Sequence, residues 1–122
     1  MEKNDALGAL AALAQETRLD IFRLLVAGGP DGLAAGHIAA RLGLQPATLS
    51  FHLKELKQAG LATCRRDGRS LVYAADFDAM AGLMGFLGDN CCGGRPELCL
   101  PSSCAAPGQA AQKAGAKDAR GA

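Results

Sequence analysis

Tryptophan is absent from the 122 residues, and the aromatic side chains amount to one Tyr and four Phe. A core built from this chain is therefore filled by Leu, Ala, Ile, Val and Met, a set that favours small packed helices. At this length one core is expected rather than two. No apolar run approaches the roughly 18 residues that a membrane span requires. The opening "MEKNDALGAL" has neither the basic region nor the apolar stretch of a secretory signal. A cytoplasmic protein with no membrane partner is the expectation. In that reducing setting the five cysteines argue against a disulfide framework, and read instead as free thiols, metal ligands or redox centres. Excess charge is also missing, since the net value is +1. Its distribution is uneven: residues 1–40 carry a net −2, residues 41–69 a net +4 and residues 70–122 a net −1. The positive charge is concentrated in the middle.

Helical periodicity accounts for most of the chain. "DALGALAALA" (residues 5–14) reads as one helix and "RLDIFRLLVA" as a second, with a break near Gln15 to Thr17 and a stop at Gly28-Gly29-Pro30. A shorter helix is predicted from about Ala34 to Arg41, ending at Gly43. Pro46 then occupies a first-turn position and opens "PATLSFHLKELKQAG", in which Leu49, Leu53 and Leu56 keep helical spacing. "LATCRR" and "RSLVYAA" flank Asp67-Gly68, the signal for a tight hairpin with a basic tip. A last helix starts at Asp76 or Asp78 and runs to about Asn90, with Phe77, Met80, Leu83, Met84 and Leu87 on one stripe. The expected organisation is a mainly helical domain over 1–90, a cysteine-rich segment over 91–104 and a disordered tail over 105–122.

Two short helices joined at "RLGLQP" and followed by a basic hairpin predict a winged helix-turn-helix. In that arrangement the second helix enters the major groove while the first braces it across the phosphates. Gln45, Thr48, Ser50 and His52 would then lie near the bases and phosphates of double-stranded DNA. Lys54, Arg65, Arg66 and Arg69 would supply phosphate contacts, with Arg41 and Lys57 beside them. A solvated basic face is the plain alternative for the charges alone, but helix spacing, proline start, glycine turn and hairpin agree on the DNA-binding reading. His37 reads as a structural histidine. Phe51 is open to two readings, a groove contact or a packing residue.

These residues resemble a known family. "ALAQETRLDIFRLL" and "IAARLGLQPATLSFHLKELKQAGLATCRRDGRSLVYAAD", in that order and spacing, are similar to the ArsR/SmtB family of metal-sensing winged-helix repressors. The resemblance covers about residues 6–90. It implies a homodimer built on the first and last helices, with Phe77, Met80, Leu83, Met84 and Leu87 at the interface. It also implies repression at an operator of pseudo-twofold symmetry until an inducer ion binds.

The sensor sites of that family differ in position. One arsenic-responsive type carries "CVC" at the start of the third helix, where this chain has Ala34, Ala35 and Gly36. Another binds zinc through Asp, His and Glu of the paired last helices, and no histidine follows His52 here. What remains is "NCCGGRPELCLPSSC" (residues 90–104), which holds four of the five cysteines. Adjacent residues of a regular helix point about 100° apart, so Cys91 and Cys92 converge on one ion only where the helix ends, and Gly93-Gly94 end it. Cys91, Cys92 and Cys99 would form a three-sulfur site suited to As(III) or Sb(III). Adding Cys104 would make a four-thiolate site for Zn or Cd. Trivalent arsenic is the first choice, and a thiol redox sensor is a further alternative. Cys64 reads most simply as a small buried residue, with a link to the ion site across the dimer as the alternative. An enzyme is not expected: a reactive thiol wants a helix N-terminus or a cation beside it, whereas Cys91 and Cys92 follow a helix C-terminus.

Overall fold

The computed structural model describes residues 1–90, 93–95 and 98. Among them five helices and three strands follow in the order α1 (Lys3–Leu13), α2 (Glu16–Gly28), β1 (Leu33–Ala34), α3 (Ala35–Leu42), α4 (Pro46–Gln58), β2 (Ala62–Asp67), β3 (Ser70–Ala75) and α5 (Phe77–Leu87). This is a winged helix-turn-helix: a mainly helical body with a small antiparallel sheet in the order β1-β3-β2. The chain divides into two units, Met1–Phe86 and Leu87–Ala122. No helix among the described residues is long and apolar enough to cross a membrane. Cys91, Cys92, Cys99 and Cys104, and the tail from Ala105, lie outside the described residues.

Local chemistry sets the helix ends. The Gln15 side chain accepts a hydrogen bond from the Arg18 N–H at 2.8 Å, capping α2 and separating it from α1. Gly43 ends α3 in the left-handed conformation (φ +66°, ψ +37°). Its N–H and that of Leu44 both turn back to the Ala39 carbonyl, which makes the sharp turn between α3 and α4. Pro46 stands in the first turn of α4, where its missing N–H costs nothing. The Asp76 carboxylate accepts from the Ala79 N–H at 3.0 Å and caps α5. That helix ends at Leu87, three residues short of the predicted Asn90.

Two features differ from the sequence expectation. β1 was not anticipated: Leu33 pairs with Tyr73 and Ala34 with Val72, so Ala34 closes a strand and caps α3 instead of lying in the helix. Gly32 makes that pairing possible. Its φ is +81°, and an added Cβ would lie 2.6 Å from the Tyr73 carbonyl oxygen and 2.9 Å from Val72 Cγ1. The hairpin also turns one residue later than "Asp67-Gly68" suggested. Asp67 pairs with Ser70, leaving Gly68 and Arg69 as the loop. Only Gly68 of the two has a positive φ (+64°), the pattern of a type II′ turn.

The core lies where α1, α2, α3 and α4 meet the base of the sheet. Ile21, Leu25, Ile38, Leu53, Leu56 and Leu61 are fully buried, and Leu83 of α5 joins them. From α1 only Ala6, Ala9 and Ala12 are buried, small side chains that let this helix lie close against its neighbours. The Asp76 N–H donates to the Leu61 carbonyl at 2.8 Å and ties the residue after β3 to the residue before β2.

Candidate nucleic-acid interface

The geometry of α4 follows from its own spacing. Leu49, Leu53 and Leu56 recur at i, i+4 and i+7 and are buried, which fixes the opposite side of the helix to solvent. Ala47, Phe51, Lys54 and Gln58 occupy that outward side, with Thr48 and Ser50 exposed on its flanks. Gln45, at the N-cap, is exposed and its side chain makes no capping bond, so its amide is directed neither into the helix nor into the core. Gln45, Thr48 and Ser50 are thus accessible at the N-terminal half of α4, Lys54 is exposed in its C-terminal half, and Arg41 is exposed near the end of α3.

His52 departs from the expectation that put it beside DNA. It is only 9% exposed, because it stands three residues after Leu49 and four before Leu56, on the buried side of the helix. There its Nδ1 lies 3.3 Å from Arg18 Nη1. A guanidinium only donates, so Nδ1 accepts with its lone pair and the ring is neutral. Burial, and after it the Arg18 charge, hold the His52 pKa below the ordinary value of 6.5, with Glu55 pulling weakly the other way. Arg18 also donates from Nε to the Ala12 carbonyl at 2.7 Å, satisfying an acceptor at the end of α1. One side chain therefore joins α1, α2 and α4. Sequence reasoning passed over Arg18, although a cation in the first turn of a helix opposes the dipole and signals that a partner should be sought. Behind it, a shallow cavity of about 330 Å³ is lined by Gly8, Ala11, Ala12, Arg18, Glu55, Gln58 and Ala59.

The wing carries Arg65, Arg66 and Arg69, all exposed. Arg65 is paired with Val72 and Arg66 with Leu71, so the pleat sends these two neighbours to opposite faces, while Arg69 sits in the turn. Cys64, half-buried and unbridged, lies directly opposite Tyr73. Burial, and then the neighbouring Cys64 thiol, hold the Tyr73 hydroxyl above its ordinary pKa.

The five-residue stripe of α5 separates into two groups. Leu83 is buried in the protomer's own core, and Phe77 and Met80 pack against it, whereas Met84 is 49% exposed and Leu87 is exposed at the helix end. On α1, Leu7 and Leu10 are exposed. A Cβ on Gly82 would meet Met1 Cε at 3.5 Å, so the start of the chain rests on α5. Among the described residues, no three His, Cys, Asp or Glu side chains group together in a way that could hold a metal ion.

Comparison with known proteins agrees with this architecture. Residues 13–65 match a helix-turn-helix domain family. The nodulation protein NolR of Rhizobium meliloti is 36% identical over 84 residues, covering 69% of this chain and 66% of NolR, so the chain spans just under two thirds of that relative. The solved structure of HlyU from Vibrio cholerae N16961 aligns with a TM-score of 0.57 at 34% identity, over 71% of this chain and 97% of HlyU. A crystal structure described as a possible transcriptional regulator for arsenical resistance aligns with a TM-score of 0.57 at 32% identity, over 65% of this chain and 79% of that one.

Proposed function

The chain belongs to the ArsR/SmtB-like family of winged helix-turn-helix transcriptional regulators, and from that premise we propose that it is a homodimeric, operator-binding repressor released by trivalent arsenic. The observation that carries the DNA-binding part is the outward surface of α4. Gln45, Thr48 and Ser50 offer donors and acceptors to base edges, Lys54 lies beside them, and Arg65, Arg66 and Arg69 extend the positive surface along the wing. His52 serves this surface from behind, holding α4 against Arg18 rather than touching the duplex. A second copy of the chain would cover the apolar side chains that α1 and α5 leave in solvent, Leu7, Leu10 and Met84 among them.

The inducer reading rests on the thiols of residues 91–104 and on the backbone beside them. Cys91, Cys92 and Cys99 would hold the ion, with Cys104 a fourth candidate. Soft thiolates favour thiophilic ions, As(III) first and Sb(III), Cd or Zn as alternatives. Asn90 (φ +59°), Gly93 (φ +67°) and Gly94 (φ +94°) have left-handed backbone that a regular helix does not continue through, which supports the reading that α5 stops short of the cysteine-rich segment. The similarity to a structure described as a possible regulator for arsenical resistance supports the same choice. Because binding at one site and release at another are reciprocal, a tenfold loss of operator affinity requires a coupling of only about 1.4 kcal/mol.

The test is operator binding by the full chain with and without arsenite, antimonite, zinc, cadmium or a thiol oxidant, repeated with each of Cys91, Cys92, Cys99 and Cys104 changed to Ser. Release by arsenite, lost in C91S, C92S and C99S, is the expected result. Release by zinc but not arsenite overturns the arsenic reading, and release only by oxidant makes the protein a redox sensor. A chain that binds no duplex at low salt is not a repressor.

A further inference from the structure

The centre of the surface that α4 presents is apolar, and polar readout leaves it without a task. Phe51 is 56% exposed, the most exposed of the chain's four Phe and one Tyr. It lies one turn after Ala47 and one turn before Lys54 on the side directly away from Leu49, Leu53 and Leu56. It is not a packing residue of this protomer.

Its ring is also held in place. Phe51 meets His52 edge to face, with centroids 5.3 Å apart and planes at 64°. His52 in turn is fixed by Arg18. A scattered apolar side chain on a protein surface is ordinary. Here, though, the ring is braced and central on the helix, with Thr48, Ser50 and Lys54 around it.

In the major groove, the apolar feature that a base pair displays is the C5-methyl group of thymine. We propose that Phe51, with Ala47 beside it, reads thymine C5-methyl groups under the middle of α4, so that each operator half-site requires a thymine at that position. A C·G or G·C pair there offers no methyl group, so the phenyl ring would cover polar edge atoms with no apolar contact in return, and such a pair would be disfavoured for that reason. The polar residues Gln45, Thr48 and Ser50 would then read the flanking pairs. The inference rests on the DNA-binding reading above and adds to it the chemistry of one recognised base.

Duplexes selected from a random pool by the full chain supply the test. Each thymine of the selected site is replaced in turn by deoxyuridine, which deletes the methyl and nothing else. The central position is also made C·G and 5-methyl-C·G. Binding is expected to weaken about fourfold on loss of the one critical methyl, and 5-methyl-C·G is expected to bind better than C·G. In Phe51→Ala both differences should vanish, while salt-dependent binding to random duplex persists. The comparison of thymine with deoxyuridine on the parent needs no variant, so a misfolded Phe51→Ala leaves the test intact. Specific binding by the parent that is indifferent to every methyl overturns the inference and leaves the repressor reading standing. Failure to select any duplex overturns both.

Discussion

The Arg18 guanidinium stands 3.3 Å from Nδ1 of His52 and ties the first turn of α2 to the buried side of α4. The contact requires a neutral imidazole, since an imidazolium has no lone pair on Nδ1 and would face a second cation. The folded state therefore binds a proton at His52 less readily than the unfolded chain does, as its lowered pKa expresses. The sign follows from linkage. The unfolded chain takes up protons first as pH falls, so the stability due to neutral His52 is complete above about 6.5 and is lost progressively from there toward the lower folded pKa. Urea unfolding between pH 8 and pH 5 should show this loss, and His52→Gln, which keeps an acceptor but does not titrate, should flatten it. An unchanged slope in that variant would show that His52 is not the titrating group. Arg18→Ala should destabilise at every pH, by about 1–3 kcal/mol, because the Ala12 carbonyl and His52 both lose their donor.

Gly32 and Gly43 both have positive φ, yet they should respond differently to an added methyl group. At Gly43 (φ +66°) nothing lies within 4 Å of the new Cβ, so Gly43→Ala meets only the left-handed backbone cost, about 1 kcal/mol. At Gly32 (φ +81°) the same group would press on the Tyr73 carbonyl oxygen at 2.6 Å and on Val72 Cγ1 at 2.9 Å. Gly32→Ala is expected to be the more harmful and to break the pairing of β1 with β3. Denaturant midpoints rank the two, and hydrogen exchange at the Leu33 and Tyr73 amides reports the loss of β1. Equal midpoints would show that β1 contributes nothing to stability.

Leu83 and Met84 are neighbours on α5 with opposite tasks. Leu83 is buried in the protomer's core, whereas Met84 is half-exposed, as are Leu7 and Leu10 of α1. Leu83→Ala should cost about 2–5 kcal/mol of unfolding free energy, the usual effect of a cavity in a packed core. Met84→Glu should leave the melting of the isolated protomer nearly unchanged but should weaken self-association, because in the proposed dimer a carboxylate would be buried between the two copies. Sedimentation velocity over a concentration series separates the two effects. Undiminished association of Met84→Glu would place the dimer contact elsewhere.

Much of this fold was legible because its signals are local. Pro46, the Leu49-Leu53-Leu56 spacing and the glycine after α3 specify the helix-turn-helix without tertiary information. What escaped is what depends on a distant partner. β1 is two residues long, too short for alternation to appear, and exists because β3 offers an edge. The turn slipped by one residue because Gly68 works as the first loop residue of a type II′ turn, whereas "Asp67-Gly68" reads by composition as a pair of loop residues. His52 looked like a DNA-facing polar residue until helical phase placed it between Leu49 and Leu56, and Arg18, 34 positions away, explained how a polar ring is accommodated there. Phe51, open to two readings in the sequence, is exposed and so is not packed into the protomer's core. The four thiols of residues 91–104 are legible as chemistry but lie outside the described residues.

The wing offers a test of how the duplex lies. Arg65 and Arg66 are adjacent in sequence but point to opposite faces of the hairpin, as their partners Val72 and Leu71 require. A duplex resting on one face of the wing is met by one of these guanidiniums and not by the other. Each phosphate contact releases counterion and contributes about −0.9 to the slope of log affinity against log salt. Arg65→Ala and Arg66→Ala are therefore expected to act unequally, one lowering the slope by about that amount per protomer and the other leaving it nearly unchanged. Lys54→Ala, on the outward side of α4, should reduce the slope whichever face the wing uses. Fluorescence anisotropy from low to moderate salt gives all three slopes. Equal losses from the two arginines would mean that DNA wraps both faces of the hairpin, and no loss from either would place the wing off the phosphates altogether.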